Sequence, residues 1–183
     1  AGFDCNASDG FGRTVLHWAS AAGQADWISA LIVAGADPNA IDTRGCSPLQ
    51  DAVESEHASA VRSLLEGGAD TDIRLKASEL LRLIDIGGGG VTPLIVAAKQ
   101  GNSEIVRLLC NAKAGLERMD RAGFTALMTA VAHRHLEAAE VLLEHGADAG
   151  TEVRRKEEAA RGMTPLMIAV ALGDAAILRT LLR

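Results

Sequence analysis

Residues 9–40 read DGFGRTVLHWASAAGQADWISALIVAGADPNA, and this stretch decides the fold because its pattern returns four more times along the chain. Thr14 is a favourable N-cap for a first short helix, which Gly23 ends in a left-handed backbone conformation. A second helix follows over residues 26–34, and Gly35 ends it. The stretch therefore predicts a helix-turn-helix unit. The predicted apolar face of the second helix consists of Trp27, Ile28, Leu31 and Ile32.

The pattern has a period of 33 residues that is interrupted twice. The capping position recurs at that interval between the first and second units and between the third and fourth units, whereas the other two intervals are 45 and 39 residues. The longer intervals indicate two insertions, the first larger than the second. The capping residues are Thr14, Ser47, Thr92, Thr125 and Thr164.

Each capping residue opens a short motif. The motifs read TVLHWA (14–19), SPLQDA (47–52), TPLIVA (92–97), TALMTA (125–130) and TPLMIA (164–169). The second helices of three units also end in the same Gly-Ala-Asp sequence, at residues 35–37, 68–70 and 146–148. A 33-residue period that carries the signature T-P-L-H-x-A resembles the ankyrin repeat.

The resemblance implies an all-α repeat solenoid, an ankyrin helix-turn-helix stack with β-hairpin-like loops. We expect a single ankyrin repeat domain over residues 1–183. Its repeats are expected at about 9–41, 42–73, 87–119, 120–151 and 159–183, with insertions at about 74–86 and 152–158.

The repeat register predicts which side chains are buried and which backbones are strained. Cys110 replaces an apolar residue of a second helix and should be buried. Glu56 and Arg134 occupy helix-stop positions that glycine fills in other repeats, where a residue with a Cβ costs about 1–2 kcal/mol. Leucines that share one position of the first helix should be buried between neighbouring repeats, and these are Leu49, Leu94, Leu127 and Leu166.

Composition argues against several classes of protein. The net charge of −6 and the pI near 5.3 are unlike those of a nucleic-acid-binding protein, which normally carries a basic stripe. Three cysteines are too few for a zinc ribbon, and their odd number argues against a disulfide framework, so an intracellular, cytoplasmic location is expected. No apolar run approaches the roughly 20 residues needed to cross a bilayer. Cys46, at the tip of a predicted hairpin, is expected to be exposed.

The sequence holds no convergent set of catalytic or metal-binding residues, so we expect neither an enzyme nor a cofactor or metal site. His133 and His135 are two residues apart, a spacing that points side chains to different sides of a helix and disfavours metal binding. The motif implies that His17 hydrogen-bonds between adjacent loops. His145 is expected at a helix C-terminus.

The family resemblance implies a protein or peptide partner, held by hairpin tips and by the exposed side of the first helices. We expect one extended segment to lie across repeats one to four, with Phe11, Arg13, Arg44 and Phe124 as the main anchors. The convex surface and the insertion at residues 74–90 are the competing sites. The complete predicted binding set is Phe11, Arg13, Arg44, Cys46, Glu54, Ser55, Lys99, Gln100, Arg121, Phe124 and His133.

The second repeat carries a polar patch that could receive a basic partner, or that could be a solvated helix face. Its residues are Gln50, Asp51, Glu54, Ser55, Glu56 and His57.

The insertions leave alternatives open. In residues 74–90, Ser78 could cap a helix that lies over the neighbouring repeats, or the insertion could be a gated lid or a separate docking element. Gly87–Gly90 lacks the Lys-Ser/Thr of a phosphate loop. In residues 151–162, the run Arg154–Lys156 could be a nuclear-import or anionic-surface signal, or a solvated loop.

Both ends of the chain resemble interrupted repeats. Residues 2–7 match the tail of a repeat at residues 35–40, and the last unit lacks a polar outer face. We therefore expect a segment of a larger polypeptide, the alternative being natural termini. The corresponding alternative function is a regulatory or scaffolding segment of a channel, kinase or effector. A monomer is expected, with self-association through the uncapped terminal repeats as the other arrangement.

Overall fold

The computed structural model describes residues 4–74, 90–153 and 162–182. Within those ranges the chain forms ten α-helices, arranged as five antiparallel pairs, and no β-strand. The predicted all-α repeat stack is confirmed. The pairs are α1 (Val15–Ala21) with α2 (Ala25–Val33), α3 (Pro48–Glu54) with α4 (Ala58–Glu66), α5 (Pro93–Gln100) with α6 (Ser103–Asn111), α7 (Ala126–Ala132) with α8 (Leu136–Glu144), and α9 (Pro165–Leu172) with α10 (Ala175–Leu181).

The capping residues start the first helices as predicted. The side-chain oxygens of Ser47, Thr92, Thr125 and Thr164 each accept a hydrogen bond from the backbone N–H three residues later. In α1 the arrangement differs, because the backbone N–H of Thr14 donates to Nδ1 of His17 at 3.1 Å. The opposite ring nitrogen of His17 lies 3.1 Å from the carbonyl oxygen of Cys46 in the next repeat, which confirms the predicted bond between adjacent loops.

Loops between repeats are hairpin-like and stack on one another. The backbone N–H of Asp42 donates to the carbonyl of Cys46 at 2.9 Å, and the equivalent bonds in two other loops join Asp9 to Arg13 and Asp120 to Phe124. The first two loops are joined by a bond from Thr43 N–H to the carbonyl of Phe11 at 2.9 Å.

First helices pack on first helices and second helices on second helices, so the core runs along the stack. Leu49, Leu94 and Leu127 are fully buried, as predicted, and so is Cys110. Leu166 is only half-buried, contrary to expectation, because no further repeat covers α9 in the described part of the chain.

Trp27 is also more exposed than its place on the predicted apolar face suggested. It lies thirteen residues after its capping residue, and its side chain is 65% exposed. The residues at the same position of the other four repeats are Ala60, Ile105, Ala138 and Ile177, all 0% exposed. The difference arises because each of those four repeats has a preceding pair of helices stacked against this position, whereas no pair precedes the first one in the residues that the structure describes.

The residue that ends each first helix is glycine in three repeats and a residue with a side chain in the other two. All five have positive φ, including Glu56 at 59° and Arg134 at 62°. A Cβ added at Gly23 would lie 2.8 Å from Cγ of His57, and one at Gly101 would collide with the His135 ring. Glycine is therefore required wherever a histidine of the next repeat covers the turn.

Glu56 and Arg134 face a smaller neighbour. The residues of the next repeat at the position of His57 and His135 are Asn102 and Asp174. Glu56 and Arg134 can therefore replace glycine because the next repeat places a smaller residue than histidine at this position.

Several expectations fall on residues outside the described ranges. These are the helix capped by Ser78, the glycines from Gly87 to Gly89, and the basic run Arg154–Lys156. Among the helices that are described, none is long and apolar enough to cross a membrane.

Candidate partner-binding groove

Two rows of equivalent repeat positions line one side of the stack. The first row is the residue before each capping residue, namely Arg13, Cys46, Val91 and Phe124. The second row is the residue four places after each capping residue, namely Trp18, Asp51, Val96 and Thr129. Because equivalent positions of a regular stack face the same way, these rows lie along one side of the stack across repeats one to four, with Cys46 and Asp51 buried beneath it. Two cavities open on it.

The smaller cavity, here called the loop cleft, has a volume of about 250 Å³. Two aromatic rings line this cleft, those of Phe11 and Trp18. Both remain accessible, since Phe11 is 71% exposed and Trp18 is 54% exposed. The guanidinium carbon of Arg13 lies 4.2 Å from the centroid of the Trp18 ring, a cation–π distance. The cleft is lined by Asp9, Phe11, Arg13, Trp18, Asp42, Thr43 and Arg44.

An ion network forms the base of the loop cleft. The buried carboxylate of Asp51 lies 3.4 Å from Arg13 and 3.3 Å from Arg44, and Nε of Arg44 donates to Asp42 at 2.8 Å. Burial raises the pKa of Asp51 above its usual value, although both arginines act to lower it. Burial also acts to raise the pKa of Asp42, but hydrogen bonds from Arg44 and from the N–H of Cys46 outweigh it and lower this pKa. The network fixes both arginines, so their guanidinium planes are held in place before any partner binds.

The larger cavity, here called the groove cavity, has a volume of about 640 Å³. Its floor is apolar and its rim is polar. It lies between α3, α5 and α7, because successive first helices pack side by side there. Its lining consists of Glu54, Val91, Ile95, Val96, Lys99, Gln100, Asp120, Phe124, Thr129, Ala132 and His133.

Most of the predicted binding residues line one of the two cavities. Phe11, Arg13 and Arg44 lie in the loop cleft. Ser55 and Arg121 are exposed but line neither cavity. The predicted residues in the groove cavity are Glu54, Lys99, Gln100, Phe124 and His133.

Cys46 corrects the sequence analysis. Its side chain is 1% exposed, not at an accessible hairpin tip, and burial raises the pKa of its thiol to about 12. The reason is that the loop turns inward at this residue, whose N–H donates to Asp42 and whose carbonyl meets His17. Cys46 therefore supports the groove from inside.

Trp18 and Asp120 line the cavities and were absent from the predicted set. The repeat period could have found Trp18, since it occupies the same position as Asp51 in the polar patch. Asp120 is the first residue of its loop, and its carboxylate accepts from the N–H of Phe124 at 2.9 Å.

The histidine pair also differs from expectation. His133 and His135 do not lie in one helix; they end α7 and precede α8, and their rings are stacked with centroids 6.2 Å apart. Each bonds a backbone carbonyl, that of Thr129 or of Lys99, at 3.0 Å. His145 lies at the C-terminus of α8, as predicted.

Among the described residues, one cluster has the composition of a metal site. The nearest ligand atoms of Cys46, Asp51 and Glu54 lie within 4.8 Å of one another. Its chemistry does not suit a metal ion, because the Asp51 carboxylate is already shared by two arginines and the thiol pKa is raised to about 12. The cluster fits the ion network better than a metal.

Comparisons with known proteins agree with the repeat architecture. A family model for ankyrin repeats in three copies matches residues 1–75 and 77–153, and another for many copies matches residues 127–182. Human neurogenic locus notch homolog protein 1 is 32% identical over 165 residues, which are 90% of this chain. The Xenopus tropicalis protein of the same name is 34% identical over 165 residues, and human neurogenic locus notch homolog protein 2 is 33% identical over 150 residues. The match spans 6% of the length of each of these relatives.

Proposed function

Since the chain belongs to the ankyrin repeat family, whose members are typically protein–protein interaction modules, we propose that it is a non-catalytic module binding one extended segment of a partner protein. The segment lies along the concave surface and the hairpin tips, across the loop cleft and the groove cavity. The chain acts without a cofactor, in an intracellular compartment, and does not bind nucleic acid.

The observation that carries this proposal is the distribution of the two cavities. Both include members of the same two rows of repeat positions, and eight of the eleven predicted binding residues line them. Exposed aromatic rings and fixed arginines are the residue types most able to anchor an interface. Buried Asp51 lies between the cavities on the same row, so the scaffold beneath the surface is continuous.

The test is binding by a variant in which the four anchors Phe11, Arg13, Arg44 and Phe124 are replaced by alanine. Proteins captured by the native chain should be lost, with each single substitution weakening binding by more than about 1 kcal/mol. The matched control for Phe11 is alanine at Trp27, which is aromatic and comparably exposed but lies outside both cavities. Retention of every partner by the folded quadruple variant would place recognition elsewhere.

A second candidate is the regulatory or scaffolding segment of a larger protein, and the exposure of Trp27 favours it. The equivalent side chains are fully covered by a preceding pair of helices in four repeats. We propose that further helices of the same polypeptide cover Trp27. Acrylamide quenching, measured with Trp18→Phe, should then be weaker in a longer natural chain than in this one. Equal quenching would contradict the idea.

A further inference from the structure

The polar groups that line the groove cavity are mostly hydrogen-bond acceptors. Nε2 of Gln100 donates to the carbonyl oxygen of Glu54 at 3.0 Å. A carbonyl can only accept, so this contact fixes the orientation of the amide and identifies the other terminal atom as oxygen. That oxygen has no hydrogen-bond partner in the part of the chain that the structure describes.

The same reasoning applies to His133 and Thr129. Nδ1 of His133 lies 3.0 Å from the carbonyl oxygen of Thr129, so Nδ1 carries the proton and Nε2 of the neutral ring is an acceptor. The hydroxyl of Thr129 donates a hydrogen bond to the carbonyl oxygen of Thr125 at 2.9 Å. Towards a ligand, this hydroxyl can therefore act only as an acceptor.

Two carboxylates complete the set. One oxygen of Asp120 accepts from the N–H of Phe124, and one oxygen of Glu54 accepts from Gln50 at 3.3 Å. Neither second oxygen has a partner among the described residues. Apart from the second N–H of Gln100 Nε2, Lys99 is the one side chain in the described lining that offers a free donor. Glu54 and Asp120 each bring a carboxylate to the lining, and Lys99 brings one ammonium group.

We propose that the groove cavity receives an arginine side chain of the partner segment, a proposal that rests on the function proposed above. The aliphatic part of the arginine packs on Val96 and Phe124, and the guanidinium lies toward Asp120, whose carboxylate is held beside Phe124. Glu54, two repeats away along the groove, adds to the attraction of a cation. Five N–H donors on a planar, weakly hydrated cation match an acceptor-rich rim above an apolar floor. An apolar side chain would cover the carboxylates without bonding them, which is costly, and an acidic one would be repelled.

The test uses two capped peptides, acetyl-Ala-Ala-Arg-Ala-Ala-amide and the same peptide with citrulline in place of arginine. Citrulline has nearly the same shape but no charge. Titration followed by amide chemical shifts should move signals of Val96 and Phe124, and the arginine peptide should bind about tenfold more tightly than the citrulline peptide, since hydrogen bonds to charged groups are the stronger kind.

The double substitution Glu54→Gln and Asp120→Asn should remove most of this difference. The new amide oxygens can still accept from Gln50 and from the N–H of Phe124, so the fold is retained. The control is Glu66→Gln, the same change of charge at an exposed residue of α4 outside both cavities, which should leave the tenfold preference intact.

Equal binding of the two peptides, shifts confined to other surfaces, or a preference that survives the double substitution would overturn the proposal. Selection from a random peptide library separates it from the proposed function. Peptides that bind the groove with an apolar residue in the cavity would overturn the arginine assignment alone. Peptides that bind only the convex face would overturn both.

Discussion

The turn between α5 and α6 offers a sharp test of how the repeats are coupled. Gly101 has φ +76°, and the His135 ring of the next repeat lies against the place where a Cβ would be. Gly173 has φ +67° with nothing within 4 Å of that place. We expect Gly101→Ala to destabilise the array much more than Gly173→Ala.

The expected sizes follow from separate effects. Left-handed backbone costs a residue with a Cβ about 1–2 kcal/mol, and replacing glycine regains about 0.4–1 kcal/mol from the unfolded state. Gly173→Ala should therefore lower the free energy of unfolding by about 1 kcal/mol. Gly101→Ala adds the overpacking against His135, typically about 1–3 kcal/mol, for a total of about 2–4 kcal/mol.

Urea denaturation followed by far-ultraviolet circular dichroism measures both costs. In a chain that also carries His135→Asn, the residue type found at position 102, Gly101→Ala should cost only about 1 kcal/mol because the ring is gone. If Gly101→Ala costs no more than Gly173→Ala, or if its cost is unchanged beside His135→Asn, the explanation of the helix stops is wrong.

Four further outcomes are expected. Leu94→Ala should lower the free energy of unfolding by about 2–5 kcal/mol and Leu166→Ala by clearly less, because only the former is fully buried; equal losses in urea denaturation would contradict the stacking. Asp42→Asn should destabilise the chain at pH 7, with a loss that shrinks as the pH falls below 3.8, because the lowered pKa of Asp42 stabilises the fold only while it is ionised. Asp51→Asn should lower the free energy of unfolding at pH 7 by less than Asp42→Asn does, because the raised pKa of Asp51 means that folding already disfavours its ionised form. A larger loss for Asp51→Asn than for Asp42→Asn in the same pH series would refute this. Ellman's reagent should modify Cys5 rapidly in the native chain and Cys46 and Cys110 only on unfolding, because burial raises the pKa of the latter two thiols to about 12 and about 11.

The repeat period was sufficient to predict the helices, their caps and most of the buried leucines. These depend on local propensity and on contacts that recur in every repeat, so one sequence contains five examples of each. Trp27 and Leu166 were misjudged because burial at the two ends depends on whether a neighbour exists, which the pattern within a repeat does not encode.

The sequence predicted the loop-tip residues of the candidate site but not the buried residues that support them. Phe11, Arg44 and Phe124, which line the two cavities, were predicted as binding residues because loop tips vary between repeats. The inward turn of Cys46 and the sharing of Asp51 between two arginines depend on contacts between consecutive repeats. Such contacts join residues about one period apart, and the sequence identifies the pair only when both partners follow the motif.

The groove itself is tested most directly by the footprint of a bound peptide. A peptide selected from a random library against the native chain would be titrated into the ¹⁵N-labelled protein, and its amide shift changes mapped along the sequence. The account predicts one continuous track from the loop of Phe11, across the row that contains Asp51, to the loop of Phe124 and the ring of His133. Changes concentrated on α2, α4, α6 and α8, with the track unaffected, would contradict it.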